Sequence, residues 1–192
     1  MGAVVHVGVD IGQKQDPTAV VVAEIELRNG VSHYVIRHLG RFPLGTPYPA
    51  VVTRLMTIKN GLKEKQANDY WWVDATGVGQ PVIDLLRQAG LYPTPVYLTG
   101  SDRAIQEGYD LRLGKSLLVS RLQVLLQSGR IHLPRTAEAS TLVDELLNYE
   151  IKVGGDANAQ FGAFKTGTHD DLATALGLAC WQEPRRFRME WV

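Results

Sequence analysis

The run Val4-Val5-His6-Val7-Gly8-Val9-Asp10-Ile11-Gly12 constrains the chain more than any other stretch. Its β-branched residues favour a pleated, buried strand. A carboxylate near the end of such a strand is costly unless something uses it. Side chains two apart share a face, so Asp10 stands with Gly8 and His6 while Val7, Val9 and Ile11 point the other way; Gly8 is expected to leave room beside the acid. Tyr70-Trp71-Trp72-Val73-Asp74-Ala75 repeats the design, and His169-Asp170-Asp171-Leu172-Ala173 adds two acids where a helix begins. If the second strand lies parallel to the first, Asp10 and Asp74 finish at the same sheet edge, where open α/β sheets place their sites. Clustered carboxylates resist ionising together unless a cation neutralises them, so their convergence predicts a divalent metal site. Each acid alone has a plainer role as a turn or helix cap. Four acids at three element ends are what point to chemistry.

Charge and composition narrow the partners. The 192 residues suit one domain, and 45% hydrophobic side chains can fill its core. With 20 basic and 20 acidic side chains the net charge is zero. Any nucleic-acid contact must therefore come from a local patch or from bound metal. The single cysteine, Cys180, lies in an apolar helical run and is read as core. No apolar run reaches membrane-spanning length and the start lacks the pattern of a signal peptide, so a soluble, intracellular protein with no membrane partner is expected.

Taken in order, the chain opens as a three-stranded antiparallel meander. The loop 12–17 returns it into Thr18 to Leu27, and Asn29-Gly30 suits a type I′ turn into a third strand from Ser32 to Gly40. A linker from Arg41 to Pro49 leads to a helix carrying Val51, Val52, Leu55, Met56, Ile58 and Leu62, weakened late by Gly61. The strand bearing Asp74 passes through Thr76-Gly77-Val78-Gly79-Gln80-Pro81 into a helix from Val82 to Ala89 that stops at Gly90. Pro93 to Thr99 reads as a fifth strand, and Gly100 to Gly114 as a polar loop. Helices are expected from Lys115 to just before Gly129 and from Ala137 to Tyr149. Ile151–Val153 and Phe161–Phe164 read as a small hairpin around Gly154-Gly155-Asp156. The last helix, with Leu172, Ala175, Leu176 and Ala179 on its core stripe, ends before Glu183-Pro184. Residues 1–184 make one domain, and 185–192 a basic tail.

Roles within the acid cluster follow from two-metal chemistry, in which ions about 3.5–4 Å apart activate a water and stabilise the leaving oxygen of a phosphodiester. Asp10 is the candidate to bridge both ions, and Asp74 with one of Asp170 and Asp171 completes the shells. Periodicity does not separate the last two. His169 is open to orienting a water, protonating the leaving group, binding phosphate or capping the helix. Asp16, in an Asp-Pro-Thr turn, is foremost a turn residue, with outer-sphere metal binding as its other role. Lys14, Arg103, Arg112, Lys115 and Lys165 lie in or beside loops near the cluster, as candidate phosphate contacts or as plain surface charge. Trp71 and Trp72 are read as core.

These pieces together resemble the nuclease domain of the large terminase subunit of tailed bacteriophages, within the ribonuclease H-like superfamily. The resemblance rests on VGVDIGQKQDPTAVVV at Val7 to Val22, WWVDATGVGQPVIDLL at Trp71 to Leu86 and GAFKTGTHDDLATALGLA at Gly162 to Ala179. It implies an α/β ribonuclease H-like fold: a central mixed five-stranded sheet, its first three strands antiparallel, flanked by helices, with a small extra hairpin before the last helix. It also implies two divalent ions, Mg2+ or Mn2+, and hydrolysis of double-stranded DNA to 5′-phosphate and 3′-hydroxyl ends. The implied setting is the cutting of concatemeric viral DNA during packaging in the host cell cytoplasm, alongside an ATPase motor domain of the same polypeptide, a small terminase subunit and a portal protein. No complete Walker-type loop occurs in the sequence: Gly114-Lys115-Ser116 has Tyr109 where the Gly-x-x-x-x-Gly-Lys-Ser/Thr pattern needs its first glycine, so the nuclease part alone is expected. A resolvase or transposase of the same fold would use similar acids. The opening Gly8-Val9-Asp10-Ile11-Gly12 also resembles the first phosphate motif of actin-like ATPases, whose second glycine-rich hairpin is missing.

Overall fold

The computed structural model describes residues 2–12, 16–77, 80–148, 150–153, 159–162 and 170–183. Strands β1 (Val4–Asp10), β2 (Ala19–Arg28) and β3 (Val31–Arg41) form the expected meander, followed by α1 (Tyr48–Glu64), β4 (Asn68–Asp74), α2 (Gln80–Gln88) and β5 (Thr94–Thr99). Then come β6 (Ala104–Glu107), β7 (Asp110–Gly114), α3 (Lys115–Gln127), β8 (Ile131–His132), α4 (Ala137–Leu147), β9 (Glu150–Val153), β10 (Ala159–Gly162) and α5 (Asp171–Ala179). Asn29 and Gly30 both take positive φ, at 50° and 76°, as a turn matched to the twist of β2 and β3 requires. The basic run Arg185-Arg186-Phe187-Arg188 and Gly154-Gly155-Asp156 fall outside the described residues.

Among the described residues the central sheet has eight strands, not five, in the order β6-β7-β5-β4-β1-β2-β3-β8, while β9 and β10 pair separately as the extra hairpin. Two of the added strands come from the stretch expected to be a polar loop. There, Leu111 and Leu113 face the core while Arg112 between them is exposed, a period-two pattern that the surrounding charges hide. Gly108, at φ 62°, makes the tight turn from β6 to β7. The third addition, β8, is two residues paired parallel to β3.

Helices cover both faces of the sheet. On one side Val5, Val7, Val9, Trp71 and Val73 pack with Val51, Val52 and Leu55 of α1 and with Val82, Ile83 and Leu86 of α2. On the other, Ala19, Val21, Ala23 and Tyr34 pack with Leu122 and Leu125 of α3, Leu142 of α4 and most of α5. Trp72 joins a third cluster with Leu98, Leu113 and Leu178. Both tryptophans are thus core, as is Cys180.

Every residue of α5 is buried, including the polar Asp171 and Thr174. A helix apolar all round needs cover on all sides, and α5 finds it against β1, β2 and β4 below and α3 and α4 above. Gly8 is what admits it. A Cβ there would lie 2.0 Å from the Ala175 carbonyl oxygen and 2.5 Å from the Ala179 nitrogen. The space expected beside Asp10 is therefore filled by the α5 backbone.

Candidate metal centre at the carboxyl edge of the sheet

β1 runs parallel to β4 with Asp10 directly opposite Asp74. The carboxyl ends of β5 and β7 arrive at the same edge, since Asp74 aligns with Val96 and Thr99 with Gly114. Lys115, the first residue of α3, follows Gly114 immediately. The row continues across β2, where Ala19 faces Asp10, to β3, where Arg41 faces Ala19.

Local hydrogen bonds fix the strand ends. Just past Asp10, the Thr18 hydroxyl accepts from the Gly12 N–H at 3.2 Å and donates to the Gly12 carbonyl at 3.0 Å, closing the loop around Asp16. Asp74 Oδ1 accepts the N–H of Thr76 at 2.7 Å, and the Thr76 hydroxyl accepts the N–H of Leu98 at 2.8 Å. Thr76 thereby ties the second acid to β5. Asp171 sits in the first turn of α5, and Asp170 is its N-cap but makes no side-chain capping bond.

The electrostatics show that these acids act on one another. Burial, then the charges of Asp74, Asp171 and Asp170 in that order, hold the Asp10 carboxyl well above the usual carboxylate range, against the pull of Lys115. Asp74 is raised by burial and by Asp170, opposed by its Thr76 bonds and Lys115. Asp171 thus bears on Asp10 more than Asp170 does, while Asp170 bears on both strand acids. Lys115 lies close enough to favour ionisation of both Asp10 and Asp74.

The chemistry of this donor set fits a hard divalent cation: carboxylate oxygens only, partly stripped of water, sharing too much negative charge. Among the described residues, no three His, Cys, Asp or Glu side chains gather tightly enough to enclose one ion by themselves. Magnesium is commonly held by one or two carboxylates, with water and substrate phosphate completing its shell.

Other expected site residues are placed differently. Asp16 is exposed in the loop after β1. Arg103 immediately precedes β6, its carbonyl accepting the Gly114 N–H at 2.8 Å, and its exposed guanidinium stands 3.9 Å from Asp102. Arg112 points outward from β7 and pairs with Glu107 at 2.9 Å. Lys14, Lys165 and His169 lie outside the described residues.

Two residues at the edge were not anticipated. Arg41 donates to Asp171 and to Glu145 of α4, and Glu145 accepts the Ala173 N–H at 2.9 Å. Burial pushes the Glu145 carboxyl up to about 8, with Asp171 adding to the rise and the Ala173 N–H and Arg41 opposing it. A signal was present, because Glu145 continues the buried stripe of Ala139 and Leu142 along α4. An acid on a core stripe asks for a partner.

A mixed sheet opening with an antiparallel meander, covered by helices and carrying acids at the ends of β1, β4 and the final helix, is the ribonuclease H-like arrangement. Residues 7–183 match the family model described as the terminase RNaseH-like domain, and the chain belongs to that family. The large terminase nuclease from thermophilic phage G20c with bound magnesium is 25% identical, with a TM-score of 0.70 over 94% of this chain and 82% of that one. The human cytomegalovirus terminase nuclease domain shares the fold at 14% identity, with a TM-score of 0.60 over 94% of this chain and 83% of that one. The HK97 bacteriophage large terminase matches at 15% identity and a TM-score of 0.62, this chain covering 39% of its length. No curated protein sequence matches this one. Other structures of the G20c nuclease carry cobalt and zinc, and one of the cytomegalovirus domain was soaked with manganese.

Proposed function

We propose that this chain is the endonuclease domain of a large terminase, cutting concatemeric viral double-stranded DNA during genome packaging with the help of two divalent ions, Mg2+ or Mn2+. One observation carries the reading: Asp10 and Asp74 stand in register at the carboxyl edge of the sheet, and the charges of both α5 acids bear on Asp10. The family membership and the magnesium held by the G20c nuclease support it.

Asp10, Asp74 and one or both of Asp170 and Asp171 would hold the ions, with Asp10 as the candidate to bridge them, while Asp16 on its exposed loop would act through water. Bound divalent ions would supply an activated water and neutralise charge at the scissile phosphate, giving 5′-phosphate and 3′-hydroxyl ends. Lys115, whose charge already acts on both strand acids, would draw the DNA backbone to the edge, and Arg103 and Arg112 would hold it further out along the sheet. Lys14 and Lys165 would contact the DNA backbone, and His169 would orient a water, protonate the leaving group or bind phosphate. Residues 1–184 would form the nuclease and 185–192 a basic tail. In the host cytoplasm an ATPase motor domain, a small terminase subunit and a portal protein would bring DNA to this otherwise neutral domain.

The test is supercoiled plasmid incubated with the chain in magnesium, manganese and EDTA, with the Asp10→Asn protein alongside. Nicking and linearisation that need metal and vanish in Asp10→Asn are expected. Efficient cutting in EDTA, or equal cutting by Asp10→Asn, would refute the assignment.

A further inference from the structure

Across β4, β1, β2 and β3 one row of the sheet reads Asp74, Asp10, Ala19, Arg41. Residues in register share a face, so Arg41 stands on the side of the acids with only the small Ala19 between. Its Nε donates to both oxygens of Asp171, at 2.9 and 3.1 Å, and its Nη2 donates to Oδ1 at 2.7 Å. The N–H of Leu172 adds another bond to Oδ1 at 2.9 Å. Oδ1 of Asp171 thus takes three of these bonds and Oδ2 one.

Glu145 closes the arrangement from a separate helix. It pairs with Arg41 Nη2, and its Oε2 takes the Ala173 N–H in the first turn of α5, where backbone donors have no partner within the helix. The capping that Asp170 does not provide therefore comes from α4, leaving the Asp170 carboxylate out of that work. A single arginine fork thus joins β3, α4 and the start of the helix that carries both late acids. Arginine suits the task because its planar donors fix direction as well as charge.

We propose that Arg41 and Glu145 are positioning residues that set the start of α5, and with it Asp170 and Asp171, for the divalent cation shared with Asp10 and Asp74. The inference rests on the metal-dependent nuclease reading above. Groups that hold a ligating carboxylate from behind typically govern metal affinity about 10–100-fold.

Manganese binding to the whole chain without DNA, followed by electron paramagnetic resonance of the free ion, separates positioning from folding. Arg41→Lys keeps the charge and loses the fork, and is expected to weaken manganese binding about 10-fold or more. Glu145→Ala should do the same, and Glu145→Gln, which keeps an oxygen for Ala173, should recover most of the affinity. If Glu145→Ala does not fold, Arg41→Lys decides. In plasmid nicking, the magnesium concentration for half-maximal rate should rise more than the saturated rate falls. A merely structural pair would lower the melting temperature and leave the manganese Kd of the folded protein unchanged, and that result overturns the proposal. If the wild type binds no more manganese than Asp10→Asn does, the metal centre itself fails and the positioning role falls with it.

Discussion

Replacing Gly8 with alanine adds one carbon where there is no room for it. The new Cβ would sit 2.0 Å from the Ala175 carbonyl oxygen, 2.5 Å from the Ala179 nitrogen and 3.0 Å from Leu178 Cβ, whereas ordinary contact begins at 3.4 Å. Two of these three neighbours are backbone, so no rotamer change relieves them. Restoring contact requires α5 to withdraw from β1 by about 1.4 Å, and overpacking of this kind costs about 1–3 kcal/mol. For a chain of this size that lowers Tm by roughly 2–12 °C. The helix that moves carries Asp170 and Asp171, while Asp10 stays on β1. A misplacement of about 1 Å at a reacting centre can cost on the order of 100-fold in rate. Calorimetry gives the first quantity, and plasmid nicking well below the transition gives the second. A Gly8→Ala protein with wild-type Tm would refute the close helix approach, and one that melts early yet nicks at the wild-type rate would refute the claim that α5 brings essential acids.

Buried His6, held near a pKa of about 4 by desolvation despite its contact with the Ala179 carbonyl, should make stability pH-dependent. Its folded value lies below the unfolded 6.5, so the unfolded chain binds more protons between them; stability is complete above pH 6.5 and falls as pH drops toward 4, by about 2 kcal/mol at pH 5. Urea unfolding at pH 7.5 and 5 should show this loss in the wild type and less of it in His6→Gln; an equal loss in both would contradict the assignment. Thr76→Val removes the acceptor for the Leu98 N–H and should cost about 1–3 kcal/mol, with Thr76→Ser near wild type. A urea midpoint unmoved in Thr76→Val would show that the β4–β5 tie is unimportant. Calcium, with its looser coordination, should support DNA binding but little cleavage; nicking in calcium at the magnesium rate would count against the proposed ion geometry.

How much of this could be read in advance depended on whether the signal was local. The meander was legible because β-branched runs and one Asn-Gly turn specify it, and the parallel pairing of β1 with β4 followed from a helical crossover between two like strands. The hairpin of β6 and β7 escaped because its exposed face is charged and its buried face offers only Leu111 and Leu113. Arg41 escaped for a sharper reason. Counting from the turn, Arg28 opposite Val31 sums to 59, which would put Gly40 opposite Ala19; the observed pair, Ala19 with Arg41, sums to 60. The irregularity after Val22 adds the extra residue, and a shift of one turns a side chain to the other face.

Sequence by itself determined where the candidate acids lie and on which elements: Asp10 and Asp74 at strand ends, Asp170 and Asp171 at a helix start, each placed by periodicities of two and 3.6 that act over a few residues. Tertiary structure alone decided what stands around those acids. The approach of α5 through the gap at Gly8 and the meeting of Arg41 with Asp171 and with Glu145 join residues more than 100 positions apart, and no local pattern encodes the distance between two elements that meet only when packed.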